Sequence, residues 1–181
     1  MVKGLARSSL IEYEPRGGTR LTGRGQTLAL SVLRRHRLVE LFLVEVLKLD
    51  WSEVHREAET LEHAVSEKVL DRLDDLMGHP RVDPHGDPIP TGGGEIDETA
   101  FEPLAGRTAG DELVIIRVTD QDGKFLLFAE REGLVPGTRI RVDRRDDDAD
   151  AFAITVGDNR SLTLGAAAAT KILVSAARQK K

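Results

Sequence analysis

The sequence predicts an α+β protein in which a mainly helical first half is joined to a small barrel of β-strands. Three observations support this fold class. Apolar residues recur every three or four positions from Leu28 to Met77, which is the spacing of a buried helix face. A segment dense in proline and glycine follows at residues 80–94. Beyond residue 112 the apolar period changes to two, which indicates strands.

Composition limits both the architecture and the kinds of site. With 181 residues, 40% of them hydrophobic, the chain can form one domain or two small ones. It contains no cysteine, so any metal ion must be held by nitrogen and oxygen ligands. No apolar run approaches the roughly 20 residues that cross a bilayer, and no leader pattern opens the chain. We therefore predict a cytoplasmic protein without a membrane partner.

The first 22 residues predict a short helix followed by a hairpin. The strands are expected at residues 10–14 and 19–22, with a turn from Pro15 to Gly18. Two strands have no face to bury and are not stable alone, so we expect further structure to precede them.

Three helices follow, and each has a polar residue that can cap its first turn. The third helix is stopped by Gly78 and Pro80. The caps and helices are Thr22 before residues 23–49, Asp50 before residues 51–65, and Ser66 before residues 69–77.

The last part of the chain predicts five short strands and one helix, which is typical of a small closed barrel. The strands are expected at residues 112–118, 139–142, 152–156, 161–164 and 171–174, and the helix at residues 124–132.

Six imidazole and carboxylate side chains recur at helical spacing in the first two long helices. A single His/Glu pair of this kind is usually a solvated pair. Carboxylates crowded beside an apolar face, however, repel one another unless a cation or a proton neutralises them. The pattern alone leaves a metal site and a solvated helix face both open. The six residues are His36 and Glu40 in one helix, and His55, Glu59, Glu62 and His63 in the next.

A further histidine, His85, lies in the proline-rich turn between Asp83 and Asp87. It could bind a metal ion, but we favour a turn histidine whose polar groups are satisfied by the backbone.

Charge is distributed unevenly along the chain. Residues 1–37 hold eight basic and two acidic residues, which gives this segment a net charge of +6. The whole chain has a net charge of −5, so the remaining residues carry −11. A basic front on an acidic body is compatible with a segment that contacts phosphate, and equally with arginines that solvate a helix face.

Three separated blocks resemble the diphtheria-toxin-repressor family of metal-dependent transcriptional regulators, in the order of that family. They are LTGRGQTLALSVLRRHRLVELFL, WSEVHREAETLEHAVSE and HPRVDPHGDPIP. The segment from Pro103 to Val174, with GLVPGTRIRV, resembles the SH3-like domain of the longer members and of small ferrous-iron transport accessory proteins. The resemblance implies a wing remnant at residues 1–22, a helical metal-binding and dimerisation domain at 23–90, a linker at 91–102 and an SH3-like domain at 103–177.

The resemblance also implies two metal sites and one or two ions per monomer. It assigns Glu59, Glu62 and His63 to a primary site, and His36, Glu40 and His55 to an ancillary site. A ligand from the SH3-like domain would be Asp120 or Asp122. Iron-responsive relatives commonly have cysteine at the position of Glu59, so a carboxylate there favours Mn²⁺, with Fe²⁺ next.

The function implied is that of a DNA-binding regulator, most simply a repressor of metal uptake, that acts as a homodimer and is not an enzyme. Its DNA contacts would come from Lys3, Arg16 and Arg20, and its dimer interface from Leu70, Leu73, Leu76 and Met77.

One departure from the family concerns the start of the chain. Members begin with two helices and a recognition helix before the wing, whereas this sequence opens in what resembles the end of the recognition helix. We therefore expect an N-terminal truncation and weak DNA binding by the chain as given. Two alternatives are a DNA-free metal sensor that acts on protein partners, and a metallohydrolase, for which the ETLEH order does not match the HExxH motif.

Overall fold

Four helices and a hairpin form the first half of the computed structural model, which describes residues 2–14 and 17–177. Strands β1 and β2 pair antiparallel, with Ile11 opposite Leu21. The mixed helical and stranded architecture confirms the predicted α+β class. The elements are α1 (Val2–Arg7), β1 (Ile11–Glu14), β2 (Gly18–Leu21), α2 (Gly23–Glu45), α3 (Val54–Leu61) and α4 (Glu67–Leu76).

Two of the three predicted helix caps are confirmed. The Thr22 hydroxyl accepts a hydrogen bond from the Gly25 amide at 3.0 Å, and Ser66 Oγ accepts one from the Val69 amide at 3.4 Å. The third prediction is wrong, because Asp50 accepts from the Ser52 amide and α3 begins only after Glu53. Helix α3 is consequently eight residues long, shorter than the sequence suggested.

The second half of the chain is a six-stranded antiparallel sheet with two short helices. Its strand order is β3-β8-β4-β5-β6-β7. Strands β3 and β7 lie at the two ends of this order, so in the described residues backbone hydrogen bonds do not close the barrel that the sequence predicted. The elements are β3 (Glu102–Pro103), β4 (Glu112–Val118), α5 (Gly123–Glu132), β5 (Arg139–Asp146), β6 (Ala151–Val156), β7 (Arg160–Gly165), α6 (Ala166–Ala169) and β8 (Ile172–Ala176).

The hydrophobic core of the sheet extends into the helical half. Trp51, which precedes α3, is buried in this core together with Ile115 and Phe152, and Val44 of α2 packs against it. Two smaller clusters lie among the helices, one between α2 and α3 and one joining Leu38 of α2 to Leu70 of α4. The two halves therefore share buried apolar surface.

The proline-rich turn at residues 81–89 lies between the helices and the sheet. Trp51 Nε1 donates to the Pro84 carbonyl at 3.0 Å, and the Val118 amide of β4 donates to the His85 carbonyl at 2.9 Å. Gly86, at φ +89°, approaches β4 so closely that a Cβ atom would lie 2.0 Å from the Ile116 carbonyl oxygen. This turn thus connects the helix pair that holds the candidate ligands to the first long strand of the sheet.

Within the described residues, no helix has both the length and the apolar character needed to cross a membrane.

Candidate metal centre

Helices α2 and α3 hold the candidate ligands on the faces that they turn toward each other. His36 and Glu40 lie one turn apart on α2, and His55 lies in the first turn of α3. An apolar cluster beside them fixes the spacing of the two helices, because each of its members is almost fully buried. That cluster consists of Val39, Leu43, Val54 and Ala58.

Three ligand atoms, one from each of these residues, lie within 4.8 Å of one another. His36 Nε2 is 2.9 Å from Glu40 Oε1 and 3.0 Å from His55 Nδ1. His55 Nδ1 is 2.9 Å from the same Glu40 oxygen. Three atoms this close around one point form the arrangement in which imidazole nitrogen and carboxylate oxygen bind a divalent ion. The structure thus brings together the three residues assigned to the ancillary site.

Glu62 joins the centre from the C-terminal end of α3. Its Oε2 lies 2.7 Å from His36 Nδ1, and its side chain is only 12% exposed. A carboxylate in this position accepts the Nδ1 proton of the imidazole and leaves Nε2 free to act as a ligand. Glu62, assigned from the resemblance to the primary site, therefore contacts a residue assigned to the ancillary site.

The other two residues assigned to the primary site lie at the edge of the cluster. Glu59 Oε1 is 3.7 Å from His55 Nε2, and the Glu59 side chain is 64% exposed. His63 is 80% exposed and has its Nε2 3.6 Å from Glu62 Oε1. The described residues form one compact three-ligand group, and Glu59 and His63 are not members of it.

Burial and mutual contact shift the proton affinities of the central pair. Burial lowers the pKa of His36, but the hydrogen bonds and charges of Glu40 and Glu62 outweigh burial and raise it overall. Burial raises the pKa of Glu40, yet its contacts with His36 and His55 lower it overall. Glu40 is fully buried, and its second oxygen, Oε2, has no hydrogen-bond partner among the described residues.

These features fit a divalent cation. The carboxylates of Glu40 and Glu62, with Glu59 at the edge, lie beside imidazoles in a partly buried site. They give the site an excess of negative charge, which a cation offsets. The donors are nitrogen and oxygen, which suits Mn²⁺, Fe²⁺ or Zn²⁺. Residues His36, Glu40 and His55 would hold the ion, with Glu62 behind His36.

Among the described residues, the three-ligand group includes neither Asp120 nor Asp122, the proposed ligands of the SH3-like part. Asp120 forms an ion pair with Lys171 at 2.5 Å, which is the first cause that lowers the pKa of Asp120. Asp122 caps α5 by accepting from the amides of Lys124 and Phe125. Both carboxylates therefore have local partners in this structure, and a role for either of them as a metal ligand stays a prediction.

His85 also differs from its sequence prediction. The ring is fully buried, and neither ring nitrogen has a hydrogen-bond partner among the described residues. The His85 amide donates to the Asp83 carboxylate and its carbonyl accepts from the Val118 amide, so the main chain has partners whereas the ring does not. Alternating Asp, Pro, His and Gly residues indicated a turn, but no sequence feature indicated that Asp83 and His85 would be buried.

The sequence analysis also missed an ionic network beside the centre. Arg37 of α2 places Nε 3.6 Å from Asp83 Oδ2 and NH2 3.5 Å from Asp87 Oδ1. Arg117 of β4 lies 3.4 Å from the same Asp87 oxygen. This network again links α2 to the sheet through the turn at residues 81–89.

The residues predicted to contact DNA and the partner subunit lie in different environments. Lys3 on α1 and Arg20 on β2 are exposed, and Arg16 lies outside the described residues. Leu76 is 66% exposed, whereas Leu70 is 3% exposed. Leu70 packs against Leu38 and Ile89, so it is a core residue and not part of a surface that could form the dimer interface. The remaining two residues assigned to that interface, Leu73 and Met77, are half-buried.

Comparison with known proteins relates this geometry to described families. Residues 22–91 match the family model of the iron-dependent repressor metal binding and dimerisation domain. Residues 102–176 match the FeoA domain. Over 183 aligned residues the chain is 31% identical to the iron-dependent repressor IdeR of Mycobacterium tuberculosis, covering 94% of this chain and 80% of that protein.

The chain belongs to the diphtheria-toxin-repressor family. A second relative, the diphtheria toxin repressor of Corynebacterium glutamicum, is 38% identical over 111 residues, which cover 61% of this chain and 48% of that protein. Both matched families agree with the predicted resemblance, and the FeoA match confirms the SH3-like part.

Solved structures of the family share the fold. A manganese-dependent transcriptional repressor in complex with manganese is 36% identical and superposes with a TM-score of 0.87, covering 97% of this chain and 82% of that one. ScaR with bound Zn²⁺ is 33% identical, with a TM-score of 0.79, and the match covers 98% of this chain and 87% of that one. In this family the cluster on α2 and α3 is therefore the natural candidate for the metal centre.

Proposed function

We propose that this chain is a metal-dependent regulator of transcription that responds to Mn²⁺ or Fe²⁺ and represses genes of metal uptake. The observation that carries the proposal is the convergence of His36, Glu40 and His55, whose ligand atoms lie within 4.8 Å of one another. Membership in a family of metal-dependent repressors supports it. In this role the chain is a cytoplasmic regulator and not an enzyme.

The residues of the centre couple two helices that lead to different parts of the chain. His36 and Glu40 belong to α2, whose N-terminal end follows directly on the β1–β2 hairpin. His55 belongs to α3, which follows Trp51 in the core of the sheet. A bound divalent ion supplies the positive charge that holds these imidazole and carboxylate groups together. The relative position of hairpin and sheet would then depend on metal availability.

A modest free energy is sufficient for such a response. A ligand that binds one arrangement of a two-state protein about 10⁴-fold more tightly than the other shifts a 1:99 ratio to 99:1, which corresponds to about 5.5 kcal/mol. Three protein ligands around a transition-metal ion provide this range of energy.

The partners we propose are operator DNA and a second copy of the chain. The exposed bases Lys3 and Arg20 would contact phosphate, a contact that adds affinity without reading sequence. Specific recognition by two-fold symmetric regulators requires that both half-sites be presented at a fixed spacing. A metal centre that fixes the orientation of the hairpin provides such a constraint.

The proposal is tested by metal-dependent DNA binding. The chain, loaded with Mn²⁺ or treated with a chelator, is incubated with a pool of randomised duplexes, and the bound duplexes are sequenced and their affinities measured by fluorescence anisotropy. We expect Mn²⁺ to strengthen binding and to enrich a two-fold symmetric sequence, even where the absolute affinity of this chain is low.

Two variants control this experiment. Glu40→Gln keeps the shape of the side chain but removes the charge from the buried ligand, and it should abolish the response to Mn²⁺. Glu57→Gln changes an exposed carboxylate on the same helix as His55 and should respond as the wild type does. Equal DNA binding with Mn²⁺ and with chelator would contradict the proposal. Metal uptake without any DNA response would instead support the alternative of a DNA-free sensor.

A further inference from the structure

The two carboxylate oxygens of Glu62 face different histidines. Oε2 lies 2.7 Å from Nδ1 of His36, which is a hydrogen-bond distance. Oε1 lies 3.6 Å from Nε2 of His63, which is too long for a hydrogen bond. His36 belongs to the three-ligand group of α2 and α3, whereas the His63 side chain is 80% exposed at its edge. Glu62 therefore lies between the two sets of candidate ligands that the sequence assigned.

Glu62 is held in this position by the end of α3. Its backbone amide donates to the Ala58 carbonyl at 2.9 Å, which closes the last turn of the helix. Ala58 is fully buried in the apolar cluster between α2 and α3. The Glu62 side chain is only 12% exposed, so its contact with His36 is largely shielded from water. The carboxylate is therefore directed between the two helices and not into solvent.

The contact with Glu62 bears on which nitrogen of His36 can bind a metal ion. Nε2 of the ring faces the three-ligand group, 2.9 Å from Glu40 Oε1 and 3.0 Å from His55 Nδ1. A neutral imidazole carries a single proton, and an ionised carboxylate only accepts. When Nε2 binds an ion, the proton has to be on Nδ1, where Glu62 accepts it. Oε2 of Glu62 thus stabilises the tautomer that the three-ligand group requires.

The other oxygen of Glu62 lies beside further nitrogen and oxygen donors. Oε1 faces His63 Nε2 without a hydrogen bond. Glu59, one turn earlier on α3, is 64% exposed and has Oε1 3.7 Å from His55 Nε2. Two carboxylates and an imidazole at an exposed edge are donors that suit Mn²⁺ or Fe²⁺. Each oxygen of Glu62 is therefore placed to act toward a different ion.

We infer that Glu62 is shared by two metal sites, with Oε2 fixing the tautomer of His36 in the three-ligand group while Oε1 binds a second divalent cation beside His63. This inference rests on the proposed function and deepens it. An ion on Nε2 of His36 keeps the proton on Nδ1, and that proton holds the Glu62 carboxylate in place for the second ion. Because binding free energies are reciprocal, the second ion also favours the first. The two sites therefore respond to metal together.

Two replacements of Glu62 in the full chain separate its two roles. Glu62→Gln keeps an oxygen that can accept the proton of His36 but removes the charge that binds a cation. Glu62→Met is of similar length and provides neither. Glu57→Met is the control, since Glu57 lies on the same helix with a side chain that is 47% exposed and contacts Arg56. Isothermal titration calorimetry with Mn²⁺ measures the number of ions and each affinity. Circular dichroism of the chelator-treated proteins shows whether they are folded.

We expect the wild type and Glu57→Met to bind two Mn²⁺ ions. Glu62→Gln should lose the second ion and keep the first with nearly the wild-type affinity. Glu62→Met should lose the second ion and also bind the first about 10–100-fold more weakly, which is the range found for outer-shell partners of metal ligands.

Glu40→Gln tests the coupling from the other side and does not depend on how the Glu62 variants fold. Glu40 contacts His36 and His55, so its replacement disables the three-ligand group. Two cations that share no residue repel each other, and loss of the first would then leave the second unchanged or bind it more tightly. We expect the opposite result, a weakening of the second ion by about 5–150-fold, the usual range of coupling between two sites.

Three results would overturn the inference and leave the proposed function in place. The first is equal affinity of Glu62→Met and Glu62→Gln for the first ion. The second is a wild type that binds a single ion, which Glu40→Gln abolishes. The third is a second ion that Glu40→Gln binds as tightly as the wild type or more tightly. If the wild type takes up neither Mn²⁺ nor Fe²⁺, the proposed function fails together with the inference.

Discussion

At the scale of single residues, the centre depends on which side chains are buried and which are not. His36, Glu40 and His55 form a close group, while Glu59 and His63 lie at its exposed edge. The sequence predicted that all five lie on helix faces that point toward each other, because helical spacing alone does not distinguish between residues on one face. Which of them lie in the close group and which lie at its edge depends on how α2 and α3 pack, and that could not be deduced from the period.

Asp83 offers a test of the electrostatics at this scale. Burial is the main cause that raises the pKa of Asp83 to about 7, and Asp87 adds to the effect. In the unfolded chain the carboxyl has its ordinary pKa of 3.8. As pH rises between these values, the unfolded state releases its proton first, so Asp83 lowers the stability of the folded protein progressively from about pH 4 to pH 7 and no further above that.

We therefore expect Asp83→Asn to gain stability relative to the wild type as pH increases from 5 to 8. A gain of about 1–4 kcal/mol follows from the size of the shift. Urea unfolding of the chelator-treated proteins at several pH values measures it. If the unfolding free energies of variant and wild type differed by the same amount at every pH, Asp83 would be ionised in the folded protein throughout this range.

At the scale of elements, α4 has one buried row and one exposed face. Leu70 contributes to the core, whereas Val69 and Leu76 are 48% and 66% exposed. The matched family describes a metal binding and dimerisation domain over residues 22–91, which includes α4. Exposed apolar side chains on such a helix are typical of a subunit interface.

We expect Leu76→Glu to convert the dimer to a monomer without unfolding it, because the charge would be buried at the interface but is solvated in the monomer. Sedimentation velocity measures the change, and circular dichroism shows whether the helices persist. Leu127→Glu is the matched control, since Leu127 is 52% exposed on α5 in the other half of the chain. A dimer that survives Leu76→Glu, or a wild type that is monomeric, would exclude this face as the interface.

At the scale of the whole molecule, the turn at residues 81–89 links the ligand-bearing helices to the sheet. Trp51, His85 and Gly86 provide its contacts, with the Arg37 and Arg117 side chains meeting at Asp87. The sequence predicted this segment to be a turn followed by a linker. Its burial follows from the close approach of β4, which no local sequence pattern indicates.

Gly86→Ala tests the importance of this approach. The added Cβ would lie 2.0 Å from the Ile116 carbonyl oxygen, and φ is +89°, where side chains are strained. We expect a loss of about 2–4 kcal/mol of unfolding free energy, measured by urea denaturation.

Gly106→Ala serves as the control for that substitution. A Cβ atom added at Gly106 would have no neighbour within 4 Å among the described residues, so the change should be nearly neutral. If Gly86→Ala were equally neutral, the turn would be free to move relative to β4. The inferred structural link from the metal centre to the sheet would then be wrong.

The sequence by itself determined the α+β class, the change from helices to strands, and the Thr22 and Ser66 caps. These follow from local spacing and side-chain chemistry, and are therefore encoded in short stretches of the chain. Only the tertiary structure decided that Asp120 pairs with Lys171, that Leu70 is a core residue and that the His85 ring is buried against Trp51. These outcomes depend on contacts between residues distant in sequence, whose burial and partners are fixed only when the helices, the turn and the sheet pack together.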